Sequence, residues 1–231
     1  MHSRSHRARR SSVLLAAALV VVAVACHKDS PASPPTPARV TPTQGSDAQI
    51  GMVGQRLPLP VTVRVLNASG SPVRGVTVAW TILAGGGSLD VGTSTTDSTG
   101  DALVNWTLGT VTRLDSLQAS VGSSLSVVVV ATAQAGAVAS LKKVSGDQQT
   151  LPRGTTSAPF IVQAFDQYGN VVSNAAITWS AQNGGLLSAA QTMTDSSGRT
   201  AVTLTTDPAP ATYTIVAQAG SLRVTFVATG S

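Results

Sequence analysis

The stretch VRVLNASGSPVRGVTVAW, residues 63–80, returns as VQAFDQYGNVVSNAAITW, residues 162–179, and this repetition decides the fold. Aligned without a gap, Gly70 meets Gly169, Val73 meets Val172 and Trp80 meets Trp179. Further along, TTDSTGDALVNW (95–106) falls on MTDSSGRTAVTL (193–204), so Asp97 and Gly100 correspond to Asp195 and Gly198. LSVVVVATA (125–133) and LRVTFVATG (222–230) close the two copies. One unit of roughly 95 residues, an ordinary length for a domain, is written twice.

The period inside each copy is two. Val61, Val63 and Val65 alternate with Thr62 and Arg64, and Val76, Val78, Trp80 and Ile82 with Thr77, Ala79 and Thr81. Leu125, Val127 and Val129 alternate with Ser126 and Val128. Such alternation marks strands with one face buried and one face wet. Turn signals at NASGSP, AGGGS, DSTGD and DQYGN punctuate the runs about every 8–12 residues, the spacing of a β-sandwich. No amphipathic helical pattern follows the N-terminal segment. The fold class read from the chain is therefore all-β, with two sandwiches in tandem over residues 39–136 and 137–231.

The 231-residue chain is 42% hydrophobic but only 11% charged and 3% aromatic, which suits a β-rich globular protein rather than a disordered one. Its formal charge of +5 is a property of one end. Setting aside Arg4, Arg7, Arg9 and Arg10 leaves 11 of the 15 cations against 10 anions, all of them Asp. The basic balance is thus no argument for nucleic acid. Lys142 and Lys143, the adjacent cations after that end, fall where the copies join and are expected to solvate the joint.

That end reads MHSRSHRARRSSVLLAAALVVVAVAC, a basic head, an apolar run from Val13 to Ala25 and then Cys26, the single cysteine. The run is short for a membrane-crossing helix, which needs ~20 residues, and has the layout of a secretory signal over residues 1–25. AVAC, small residues directly before a cysteine, resembles the lipobox of bacterial lipoproteins. The resemblance implies cleavage before Cys26 and its acylation, anchoring the chain to a membrane. The alternative is an ordinary signal cut near Ala25 that leaves a free thiol. A lone cysteine in an exported chain has no disulfide partner, and lipidation accounts for it. His27 follows Cys26, and where Asp at that position favours inner-membrane retention, His implies the outer membrane of the cell envelope. A Pro-rich tether follows over residues 26–38, and its composition continues to Asp47 with Pro31, Pro34, Pro35, Pro37 and Pro42.

On VLNASGSPVRGVTVAWTILAGGGSL with TTDSTGDALVNWTLG, and on AFDQYGNVVSNAAITWSAQNGGLL with MTDSSGRTAVTL, both copies resemble the group 1 bacterial immunoglobulin-like domains of the intimin and invasin type. The resemblance implies immunoglobulin-like sandwiches that act as spacers or as protein-interaction and adhesion modules. A fold of this kind does not by itself name a partner. A protein or a surface glycan is open, as is whether the domains face the periplasm or the outside. The competing function is a periplasmic carbohydrate-binding or enzyme-accessory module, which needs exposed aromatics.

Candidate sites reduce to structural readings. Gly85, Gly86 and Gly87 lack the following helix that a phosphate cradle needs, and copy two keeps Gly184 and Gly185, so a turn is expected. Asp97 and Gly100, like Asp195 and Gly198, have the spacing of tight turns, in which Asp accepts backbone N–H bonds and Gly takes positive φ. A shared metal site is disfavoured because Arg199 stands where copy one has Asp101. Trp80 and Trp179 fall on inward phases and are expected in the core. Trp106 shares the phase of Ala102 and Val104, and Leu204 is its counterpart. Tyr168, in the turn DQYGN, is a candidate contact residue. The three histidines, His2, His6 and His27, all precede the repeats, and Glu is absent, so no cofactor, metal or catalytic set is expected and the chain is read as a non-enzyme.

Overall fold

The protein was analysed as a computed structural model, which describes His2 and residues 35–231. The signal segment, Cys26 and most of the tether lie outside the described residues. Among the described residues all regular structure is β.

The first sandwich runs in chain order through β1 (Arg39–Pro42), β2 (Gln49–Met52), β3 (Val61–Leu66), β4 (Thr77–Ala84) and β5 (Ser88–Leu89). It continues through β6 (Thr93–Thr95), β7 (Asp101–Val104), β8 (Trp106–Thr107), β9 (Arg113–Val121) and β10 (Leu125–Gln134). One sheet has the order β1-β3-β7 and the facing sheet β2-β10-β9-β4-β6, with β5 and β8 forming a small pair between them in sequence. The chain enters in one sheet and crosses to the other: β1 lies antiparallel to β3, whereas β2 runs parallel to β10.

The second sandwich repeats the plan with β11 (Ser140–Ser145), β12 (Gln149–Leu151), β13 (Phe160–Phe165), β14 (Ala176–Gln182) and β15 (Leu186–Leu187). Then follow β16 (Gln191–Met193), β17 (Arg199–Val202), β18 (Leu204–Thr205), β19 (Ala211–Ala219) and β20 (Leu222–Gly230). The sheet orders β11-β13-β17 and β12-β20-β19-β14-β16 match those of the first sandwich strand for strand.

Period-2 patterning builds the cores. Val61, Val63 and Val65 of β3 and Leu117, Ala119 and Val121 of β9 are buried, while the residues between them are half-buried or exposed. Trp80 and Trp179 sit at equivalent places, each 5% exposed. Burying an indole leaves its N–H in need of an acceptor. Trp80 Nε1 donates to Ser94 Oγ at 2.9 Å and Trp179 Nε1 to Thr192 Oγ1 at 2.8 Å, both acceptors coming from the strand paired to the tryptophan's own. A second device is also duplicated. Buried Thr96 donates to Val73 O at 2.7 Å and accepts from Val76 N, and Thr194 donates to Val172 O at 2.6 Å and accepts from Ala175 N. Trp106 is fully buried, and its Nε1 is without a hydrogen-bond partner.

The proline-rich composition after residue 38 does not continue the tether. Val40 is buried and residues 39–42 pair with β3, because a valine in phase with the core outweighs the flanking prolines and Pro42 closes the strand, where a missing N–H is tolerated.

Trp80→Ala is expected to lower the stability of the first sandwich by about 3–5 kcal/mol. Urea unfolding followed by the fluorescence of Trp106, with Trp179→Phe in both parent and variant, measures it, and a loss below ~1 kcal/mol contradicts a core role for the indole.

Candidate functional site

Polar or exposed groups gather at the glycine loops, the Asp–Gly turns, the outward sheet faces and the joint between the sandwiches. In the first loop Gly85, Gly86 and Gly87 all have positive φ, of 96°, 74° and 86°. Space also demands glycine at two of them. A Cβ at Gly85 would lie 1.8 Å from Asp115 Oδ1, and one at Gly87 would lie 2.1 Å from the Thr107 carbonyl oxygen. Gly86 has open space around it. The loop therefore closes down on the protein's own backbone and on one carboxyl group rather than cradling an outside anion. The corresponding Gly185 donates its amide to Asp207 Oδ2 at 2.8 Å.

The Asp–Gly turns are tied inward in the same way in both copies. Asp97 Oδ1 accepts from the amides of Thr99 and Asp101, and Asp195 Oδ1 from those of Ser197 and Arg199. Gly100 and Gly198, at φ of 76° and 72°, hand their carbonyl oxygens to Val65 N and Ala164 N, docking each turn on the neighbouring strand. Hydrogen bonds from the Thr99 and Ser197 hydroxyls, aided by those amides, hold both carboxyls below the usual carboxylate range. Asp101 is engaged by Arg64 through two bonds of 2.6 and 2.7 Å. These oxygens are committed to the protein, and no cluster of three metal-ligating side chains occurs among the described residues.

The outward faces of the five-stranded sheets differ between the copies. In the first, Ile50, Thr132 and Leu114 lie side by side across β2, β10 and β9, with Ile50 58% and Leu114 60% exposed. In the second, the same row reads Thr150, Thr229 and Thr212. The second copy carries threonine throughout this row, and the apolar pair is particular to the first.

The joint is the most elaborate polar site. The side chain of Asp166, in the turn after β13, is buried; its Oδ1 accepts from Tyr168 N and Asn170 N at 2.9 Å each, and its Oδ2 from Gly136 N of the connecting segment at 3.1 Å. Burial pushes this carboxyl up, but the bonds from the Asn170 amide and the three backbone N–H groups outweigh it and hold it low. Asn170 then reaches across. Its Nδ2 donates to Thr110 O at 2.8 Å and its Oδ1 accepts from Thr112 N at 3.1 Å, both on the segment before β9 of the first sandwich. Tyr168 packs its ring edge on Gly54 so closely that a Cβ there would lie 2.3 Å from the phenol oxygen. A crevice of about 350 Å³ lined by Met52, Val53, Gly136, Ala137 and Tyr168 is left beside this contact.

Sequence reasoning placed Tyr168 in an exposed turn as a candidate contact residue. The structure leaves it 43% exposed and also rests its phenol edge on Gly54 of the first sandwich. Lys142 and Lys143 do not solvate the joint: they stand on β11, Lys142 over the Phe165 ring and Lys143 bonded to Asp147 and to Thr225 O. Asp166, Asn170 and Asp115 were missed. Asp115 could have been found, because it shares the inward phase of Leu117, Ala119 and Val121.

Residues 141–229 match the family described as bacterial Ig-like domain (group 1). Among solved structures, the Escherichia coli adhesin FdeC aligns over 83% of this chain and 64% of its own, at 18% identity and a TM-score of 0.58. InvD of Yersinia pseudotuberculosis aligns over 83% of this chain and 57% of its own, at 19% identity and a TM-score of 0.52. This chain thus spans under two thirds of either structure, and the likeness is one of fold. No curated protein matches the chain.

Gly87→Ala is expected to cost more than Gly86→Ala. The second bears only the left-handed backbone penalty of about 1–2 kcal/mol, whereas the first adds a collision with backbone. Thermal unfolding of both variants checks this, and equal losses would show that conformation alone fixes the loop.

Proposed function

We propose that the chain is a membrane-anchored lipoprotein of the bacterial cell envelope, whose tandem immunoglobulin-like sandwiches form a fixed spacer and protein-interaction module. The observation that carries the spacer reading is the Asp166–Asn170 turn. A connection made only of flexible backbone would leave the sandwiches free to reorient, the default for neighbouring domains. Here a side-chain amide bonds to backbone on the far side while the carboxylate beneath it fixes both its own turn and the linker. Fixing orientation is what a spacer requires, because it transmits the position of the anchor to whatever is presented.

The interaction reading draws on the exposed Ile50–Leu114 row, since an apolar pair kept on a face where threonine serves equally well folds no better for it. A glycan platform finds little support: Trp80, Trp106, Trp179 and Tyr213 are buried, and Tyr168, 43% exposed at the joint, is a single ring rather than a row of them. The anchor follows from Cys26 and the AVAC sequence before it, and supports an address in the envelope, with the outer membrane indicated by His27.

Two outcomes test the two halves. Cys26→Ser should abolish both acyl labelling and membrane association in cells, and a variant that stays on the membrane rules out the lipid anchor. Asn170→Ala should leave each sandwich folded but broaden the distribution of distances between spin labels placed one on each sandwich. A distribution as narrow as that of the parent chain would show that the turn does not set the orientation.

A further inference from the structure

The loop that carries Gly85–Gly87 closes over a carboxyl group that is poorly compensated. Asp115 is 0% exposed, and among the described residues neither of its side-chain oxygens has a well-formed hydrogen bond, Arg113 Nε standing 3.6 Å away. Most buried polar groups in proteins are paired, and an ionised carboxylate without partners is far more costly to bury than a neutral one.

The groups around it come from every packed element. The loop after β4 brings the backbone of Gly85, into which a Cβ could not fit, and β10 pairs Ala131 with Asp115. The segment before β9 brings the amide of Gly109. The charged group that reaches it is Arg113 on its own strand, whose Nε stands 3.6 Å from Oδ1 with its side chain about half exposed. Loss of water is the largest influence and pushes the Asp115 carboxyl up, while Arg113 and the Gly109 amide pull more weakly the other way.

The second sandwich has the same strand, the same glycine pair and a different solution. Tyr213 occupies the equivalent inward position and is fully buried, but its hydroxyl accepts from Asp207 N at 2.8 Å, and Asp207 in turn accepts from Gly185 N. A hydrogen-bonded phenol replaces an orphan carboxyl. The orphan is therefore not a requirement of the scaffold.

We propose that the Gly85–Gly87 loop is a pH-operated latch, shut over Asp115 while its carboxyl is neutral and released when that carboxyl ionises and reaches water beside Arg113. The hinge is at hand, since Gly86 has open space around it. The sign follows from linkage. The closed form holds its proton above the ordinary value of 3.8, so closure is fully favourable below that value and is lost as pH rises from there through the raised value of the closed state. Within that window the opening equilibrium grows by up to about tenfold per pH unit. The carboxyls of Asp97, Asp166 and Asp195 are held low instead and act in the opposite sense, favouring the folded chain as pH rises.

Hydrogen-exchange protection of the folded mature chain, measured against pH and corrected for intrinsic exchange, tests the latch without any mutation. Protection at Ser88 and Leu89, which follow the loop and pair with β8, should fall with rising pH across the window, while that at Leu186 and Leu187 of the second sandwich should not. Asp115→Asn should remove the fall and leave the loop at least as protected as the parent chain at pH 7. Equal pH dependence in the two loops, or an Asp115→Asn variant that keeps the fall, would overturn the proposal. Should that variant not fold, Asp115→Tyr, which copies the second sandwich's residue, is read in the same way.

Discussion

The buried carboxylate of Asp166 is the interaction on which the two-sandwich arrangement depends. It holds the turn after β13 in shape, takes the amide of Gly136 from the connecting chain, and positions Asn170 to bond with Thr110 and Thr112. Bonds to a charged acceptor are worth more than neutral ones, and this acceptor is shielded from solvent. The turn in the first sandwich shows the unelaborated version. Asn67 Oδ1 accepts from Ser69 N and Ser71 N in the same pattern, and among the described residues its side chain bonds only within its own turn. A turn that serves in one copy only to reverse the chain has become, in the other, the device that fixes one sandwich on the next.

Duplication separates what the fold demands from what one copy has added. Both copies keep the tryptophan with its tethered N–H, the buried threonine bonded to the strand before it, and the Asp–Gly turn docked on the neighbouring strand. They differ at Asp115 and Tyr213, at the Arg64–Asp101 pair, which becomes Gln163 and Arg199, and at the outward row of Ile50 and Leu114. The shared features are those that satisfy buried polar groups in a small core. The differing ones lie beneath the glycine loop, on the outward face and on the flank of the sandwich.

The sandwiches were legible because their strands have one wet and one dry face, so alternation at Val61–Val65 or Val76–Ile82 reports burial directly. Trp80 and Trp179 followed from the same phase. The glycine loop was legible as a turn, but not why it needs glycine at Gly85 and Gly87: those positions are set by Asp115 and by the Thr107 carbonyl, 20 or more residues away. The joint was illegible for a related reason. Local sequence marks DQYGN as a turn, and only the packing of two sandwiches shows that Tyr168 and Asn170 have a surface to meet. The strand at residues 39–42 was masked by the prolines around it, Pro37 before it and Pro42 at its end, although Val40 fixes it in the core.

The bonds of Asp166 and Asn170 hold one sandwich in a set orientation to the other. Backbone 15N relaxation of residues 35–231 measures it most directly, through the rotational diffusion of each sandwich. A single diffusion tensor shared by residues 39–134 and 140–230 is the predicted result. Two tensors, each with the correlation time of a domain of about 100 residues tumbling alone, would contradict it.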